Sequence, residues 1–292
     1  MRRIVTIILM MRVCAAFGQL EAGTSTQTPA VDELVKTAQV HAAMAQRARS
    51  AEEAQQRLAL ALETYEKALD AGAGSPLVLN PMAQLYLLSG NTERAISLFH
   101  RSLAEDPQRL ATYSGLNDAF FTLGRLDSSV HYVETARQIA PDNAGVRVQL
   151  GFLYLQAGAR ATARTQLDTA LLLDAGNPQA HKLLALWLTQ GQQIDSALVV
   201  YRKVVELDPR DVEAHNNVAF LLAGKAQYAE ALEWYKTTKT LSSDPQLLHA
   251  LNLNMEGIRA IMAGKMRARY ILVSSQATCQ EVADKIEAGE DF

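Results

Sequence analysis

Between residues 42 and 245 the apolar positions of the chain return every 34 residues, without insertion or deletion, through six stretches: 42–75, 76–109, 110–143, 144–177, 178–211 and 212–245. One column of the alignment holds small side chains, Ala61, Ala95, Ser129, Ala163, Ala197 and Ala231. Four residues on, a second column holds Tyr65, Phe99, Val133, Leu167, Tyr201 and Tyr235. Residues four apart share one face of a helix, so each stretch contains a helix whose small position lets a neighbour approach closely. Earlier in each stretch Met82, Leu116, Leu150, Leu184 and Val218 are followed by Ala83, Asn117, Gly151, Ala185 and Ala219, then by Tyr86, Phe120, Tyr154, Leu188 and Leu222. Those spacings of one and three residues define a second helix with its own packed stripe.

Gly90, Gly124 and Gly158 fall between the two helices, and Pro107, Pro141 and Pro209 close their stretches where a proline cannot extend a helix. Ala73, Ala175 and Ser243 stand in place of that proline in the other three. The pattern resembles the tetratricopeptide repeat family over residues 42–245. The resemblance implies an all-α fold: a right-handed superhelix, or α-solenoid, of about six helix-turn-helix repeats plus a capping helix. One helix pair cannot bury its apolar face alone, whereas stacked pairs share a continuous core. Arg49 and Glu52 occupy core columns of the first stretch. Residues 32–75 are therefore expected to be an N-terminal cap and irregular first repeat, one helix near 32–49 and another begun by a capping box of Ser50 and Glu53. Regular repeats fill 76–245, and 246–264 reads as the capping helix, with Leu247, Leu248, Leu251 and Ile258 on its apolar stripe.

The resemblance further implies that the first helix of every pair lines a concave groove suited to a polypeptide. The columns placed there hold Asn80, Gln84 and Leu87; Ser114, Asp118 and Phe121; Val148, Phe152 and Leu155; Lys182, Leu186 and Thr189; Asn216, Phe220 and Ala223. Asp118, Phe152, Leu186 and Phe220 stand where family members that clamp a terminal carboxylate carry asparagine, which argues against such a clamp. Exposed aromatics on a groove bury large area at modest entropic cost, so Phe121, Phe152 and Phe220, with Leu87 and Leu155, are candidates to contact an extended or unfolded apolar segment. Packing against a neighbouring helix is the competing role for the same side chains.

Composition narrows the alternatives. Hydrophobic residues make up 49% and charged residues 20%, which places the chain with soluble helical proteins and not with multi-span membrane or disordered ones. A net charge of −3 leaves no basic face for phosphate, so no nucleic-acid partner is expected. Zinc-protease, paired CxxC, P-loop and GxSxG motifs are not found, and no catalytic residue, metal or cofactor is assigned. His181, His215 and His249 recur at the repeat spacing. Equivalent positions on helices ~8–10 Å apart cannot share a metal with ~2 Å bonds, so they read as core or interhelix residues. Glu63 and Glu66 read as a solvated helix face.

The ends suggest a setting. Met1-Arg2-Arg3, the apolar runs 4–11 and 13–18, and small residues Ala16 and Gly18 ahead of Gln19 read as a signal peptide over 1–18, followed by a linker over 19–31. Arg12 interrupts the run, so an uncleaved N-terminal membrane anchor stands beside cleavage and export to the periplasm or another extracytoplasmic space, after which no membrane span would remain. Cys14 lies in that leader and Cys279 is the other cysteine, so no internal disulfide is expected once the leader is removed. At the other end 269–275 reads as a short strand and 280–288 as a helix stopped by Gly289. Across Ala268, Ile271, Leu272, Val273, Ile286, Gly289, Asp291 and Phe292 the segment 266–292 resembles the opening of the parvulin family of peptidyl-prolyl isomerases, with Tyr270 where parvulins carry histidine. One strand and one helix cannot bury a core, so this chain is expected to bind polypeptides without isomerase activity. A longer product would make it a repeat-bearing isomerase, and a structural scaffold of an envelope complex is the third reading.

Overall fold

The computed structural model describes residues 29–48 and 50–264. The leader at 1–18, both cysteines and the parvulin-like segment 266–292 lie outside the described residues. Within them the chain is helical throughout: α1 (Pro29–Gln46), α2 (Ala51–Asp70), α3 (Pro76–Leu88), α4 (Thr92–Glu105), α5 (Leu110–Thr122), α6 (Leu126–Ile139), α7 (Ala144–Gln156), α8 (Arg160–Leu173), α9 (Pro178–Gln190), α10 (Ile194–Leu207), α11 (Val212–Gly224), α12 (Tyr228–Leu241) and α13 (Pro245–Met262). They form two compact units that divide after Ala157. Unit one holds α1 to α7 and unit two α8 to α13.

The 34-residue step fixes helix length as well as position. The first helices α3, α5, α7, α9 and α11 each have 13 residues, and the second helices α4, α6, α8, α10 and α12 each have 14. One capping column explains three of the starts. Asn143, Asn177 and Asp211 accept the backbone N–H of Val146, Ala180 and Ala214 at 3.1, 3.0 and 2.8 Å, satisfying donors that a helix N-terminus leaves open. The N-terminal hairpin departs from this plan. α1 begins at Pro29, earlier than the sequence suggests, because proline is preset for a first helical turn. α2 runs for 20 residues from its Ser50 cap, whose hydroxyl accepts from Glu53 N–H at 3.1 Å.

The two second-helix columns form the spine of the core. Ala61, Ala95, Ser129, Ala163, Ala197 and Ala231 are fully buried, and so are Tyr65, Phe99, Val133, Leu167 and Tyr235, with Tyr201 nearly so. In unit one they pack with Leu79, Met82, Leu85 and Leu116 and, further along, with Tyr113, Leu150 and Leu153. In unit two Tyr201 and Tyr235 pack with Val218, Leu222 and the α13 residues Leu251, Met255 and Ile258. Ser129, the polar member of its column, donates its hydroxyl to the Asn117 carbonyl at 3.1 Å and so is satisfied where it is buried.

The turn between the helices of a pair requires a left-handed residue. Gly90, Gly124 and Gly158 hold φ of 84°, 71° and 73°, and the next two members of the column, Gln192 and Ala226, hold 61° and 59°. A side chain in that region costs roughly 1–2 kcal/mol that glycine does not. Gln192→Gly and Ala226→Gly are each expected to stabilise unit two by about 0.5–1 kcal/mol, after the unfolded-state entropy of glycine is subtracted. A rise in the urea midpoint checks this, and a fall in either variant contradicts it.

Candidate polypeptide-binding faces

Charge separates the two kinds of helix. The first helices α3, α5, α7, α9 and α11 carry as Asp, Glu, Lys or Arg only Asp118, Arg147, Lys182 and Glu213. The second helices are studded with charges, such as Glu93, Arg94, Arg101 and Glu105 on α4 and Asp195, Arg202, Lys203 and Glu206 on α10, all exposed. Water takes up the outer side of the second helices, whereas the first helices present an apolar and amide-rich surface with few ions.

In unit one this surface is built from α3, α5 and α7. Asn80 is buried, and its amide donates to Thr112 Oγ1 at 2.8 Å while Thr112 meets Ser102 Oγ at 3.1 Å, a polar joint tying α3, α4 and α5 together. Leu87 and Leu155 are buried, so both serve the core first. Gln84 is half-buried, and Asp118, also half-buried, accepts from the Asn117 amide at 3.1 Å. Phe121 and Phe152 come together, half-buried, with ring centroids 5.3 Å apart and planes tilted by 54°. Each also packs against the core of Tyr113, Val133, Leu150 and Leu153. Gln149 donates to Ser114 Oγ at 2.9 Å, a second bridge from α7 to α5. The aromatic pair therefore both packs and retains an accessible edge.

In unit two α9 and α11 supply the surface. Leu186, Asn216 and Phe220 are half-buried, and Phe220 packs against the core. Lys182 is engaged by two carboxylates at the start of α11, its cap Asp211 at 3.1 Å and Glu213 at 2.9 Å. Burial disfavours its ammonium, but Glu213 and Asp211 outweigh that and hold its pKa above the ordinary lysine value. The sequence columns missed this pairing because they compare residues 34 apart, whereas Lys182 and Glu213 are 31 apart. The Phe121–Phe152 contact has the same separation, so a search for complementary residues three short of the repeat length would have found both.

The histidines divide. His181 Nε2 lies 3.0 Å from the Ala175 carbonyl, and buried His215 holds the Asp211 carbonyl at 2.9 Å with its ring 5.4 Å from that of Trp234. His249 is exposed, which corrects its reading as a core or interhelix residue: α13 turns Leu251, Met255 and Ile258 inward and leaves the histidine column outside. Among the described residues no group of three His, Cys, Asp or Glu side chains is placed to hold a metal. Glu63 lies on an exposed face paired with Lys67 at 2.8 Å, while Glu66 accepts from Arg94 at 2.7 Å and from the Tyr86 hydroxyl.

A family model described as tetratricopeptide repeat matches residues 53–117 and 120–186, and a second model of the same description matches 200–233, together more than half of the chain. The chain belongs to the tetratricopeptide repeat family. Its α-solenoid fold is shared with a tetratricopeptide repeat protein from Parabacteroides merdae ATCC 43184, at a TM-score of 0.64 over 89% of this chain and 100% of that one, with 15% identity. Among curated proteins it is 25% identical over 194 residues to the BBSome complex member BBS4 of Bos taurus, covering 66% of this chain and 37% of that protein. It is 36% identical over 112 residues to the cytochrome c-type biogenesis protein CycH of Rhizobium meliloti (strain 1021), covering 37% of this chain and 29% of that protein. The chain thus spans well under half the length of these curated relatives. Tetratricopeptide repeats mediate contacts between proteins. No described helix is long and apolar enough to cross a membrane.

Proposed function

We propose that this chain is a polypeptide-binding module that holds an extended apolar segment of a partner along the first helices of a unit, in an extracytoplasmic setting where exported proteins fold or assemble. The observation that carries the reading is the contrast between charged second helices and nearly uncharged first helices, with the Phe121–Phe152 pair half-buried on the latter. Such rings offer large apolar contact area without costly ordering, and a surface with few ions loses little on desolvation. Two curated relatives are named for work among other proteins, one as a member of a complex and the other in cytochrome c-type biogenesis. The latter name, with the leader-like residues 1–18, supports an extracytoplasmic place. The parvulin-like residues 266–292 favour a link to protein folding, and in a longer product they would make the repeats the client-holding part of an isomerase.

The test uses the full chain and a fluorescent peptide carrying an extended leucine- and phenylalanine-containing core. Phe121→Ser together with Phe152→Ser is expected to weaken binding by about 30-fold, the scale of a central aromatic anchor of ~2 kcal/mol. Circular dichroism would confirm that the variant keeps its helices. Unchanged affinity in a folded variant would remove the aromatic pair from the site.

A further inference from the structure

We propose that the α9–α11 face of unit two selects segments whose apolar residues are flanked by basic ones, and rejects acidic or carboxylate-terminated segments; this rests on the polypeptide-binding reading and names its partner's chemistry. Lys182 is the only Lys or Arg on α9 or α11. It is committed to two carboxylates, Asp211 at 3.1 Å and Glu213 at 2.9 Å, so this cluster carries one net negative charge. The three members differ in exposure: the side chains of Lys182 and Asp211 are 19% and 10% exposed, that of Glu213 69%. Asp211 is also fixed as the cap of α11 through Ala214 N–H at 2.8 Å. Lys182 and Asp211 are thus an internal joint between repeats, and the charge that meets a partner is the Glu213 carboxylate.

The apolar part of the face lies on the same two helices. Leu186 sits one turn beyond Lys182 on α9, and Phe220 two turns beyond Glu213 on α11, both half-buried. An incoming carboxylate would meet no uncommitted cation on these helices, and to reach Lys182 it would have to break a partly buried pair and leave Asp211 uncompensated, which is costly. A lysine or arginine beside an apolar residue instead places its stem on Leu186 or Phe220 and its charge near Glu213.

The experiment compares three peptides with one shared apolar core, binding to the full chain at low salt: flanked by lysine and amidated, flanked by serine and amidated, and flanked by glutamate with a free terminus. The expected order is lysine, serine, glutamate, with about tenfold between the extremes and less than about twofold at high salt. Glu213→Gln, which keeps the Lys182–Asp211 pair, is expected to bring the lysine and serine peptides within about twofold. Leu186→Ser with Phe220→Ser should weaken all three. Equal or tighter binding of the glutamate peptide, or a lysine preference that survives Glu213→Gln, overturns the charge selection alone. Failure of the serine peptide to bind the unaltered chain overturns the underlying polypeptide-binding reading as well.

Discussion

Gly115→Ala is expected to destabilise unit one by about 2–3 kcal/mol, an unusually large effect for a single added methyl. A Cβ at Gly115 would sit on the Phe99 ring, well inside van der Waals contact of Cζ and Cε1 and 2.9 Å from Cε2. Phe99 is fully buried in the spine between α4 and α5, so its ring has no open side to move into. Two other repeats combine the smaller Val133 and Leu167 in the Phe99 column with Gln149 and Leu183 in the Gly115 column, whereas Tyr65 stands with Pro81 and Tyr201 with Asn217, so a smaller side chain than Phe99 goes with a larger one than Gly115 in two of the four. Phe99→Leu should therefore rescue Gly115→Ala. Alone it loses core packing, but in the alanine background it is expected to restore at least half of the lost stability, read as urea midpoints in a double-mutant cycle. Simple addition of the two losses would show that Gly115 is not held small by the ring.

Alkaline unfolding is the second large effect. Tyr65 and Tyr235 are wholly buried and Tyr201 almost so. Burial raises all three pKa values well above 10.0; at Tyr201 the negative charge of Glu213 adds to it and the nearby Thr189 side chain opposes it, and at Tyr235 the nearby Asn254 side chain opposes it. A folded pKa above the unfolded one means that the stabilisation is fully present below pH 10 and is lost as pH rises, because only the unfolded chain releases the protons. From pH 10 to pH 11 each such tyrosine is expected to remove about 1 kcal/mol, so the three together approach 3 kcal/mol. Lys182 acts in the same direction above the ordinary lysine range, since its pKa is raised by Glu213 and Asp211 against burial. Ellipticity followed against pH, with tyrosinate absorbance alongside, provides the check. The helical ellipticity should be lost over the same pH range in which the last tyrosinate absorbance appears. Ionisation of all nine tyrosines while the helices persist would show that these hydroxyls are accessible in the folded chain.

Much of the fold was legible because a repeat states its packing rules several times over. A single alanine or leucine says little, but Ala61 through Ala231 and Tyr65 through Tyr235 each give the same instruction at one spacing, and those side chains are buried throughout. The turn column was readable where it holds glycine and unreadable at Gln192 and Ala226, where the packing of both helices forces a conformation those residues do not favour. The irregular cap was only partly readable, because α1 follows no repeat, α2 keeps only Ala61 and Tyr65 of the columns, and their starts depend on local residues, Pro29 and the Ser50 cap.

For the candidate site the division is sharper. The sequence by itself determined which residues occupy the first-helix columns, that they are poor in charge, and that Phe121, Phe152 and Phe220 are among them, since these follow from register and composition. Only the tertiary structure decided which of those side chains are withdrawn. Asn80 joins Thr112, Lys182 is bound by Asp211 and Glu213, and Leu87 and Leu155 are buried, while Phe121 and Phe152 meet ring to ring. The physical reason is that a column records the same position in successive repeats, whereas a contact joins different positions on neighbouring helices, offset by the angle at which the helices cross.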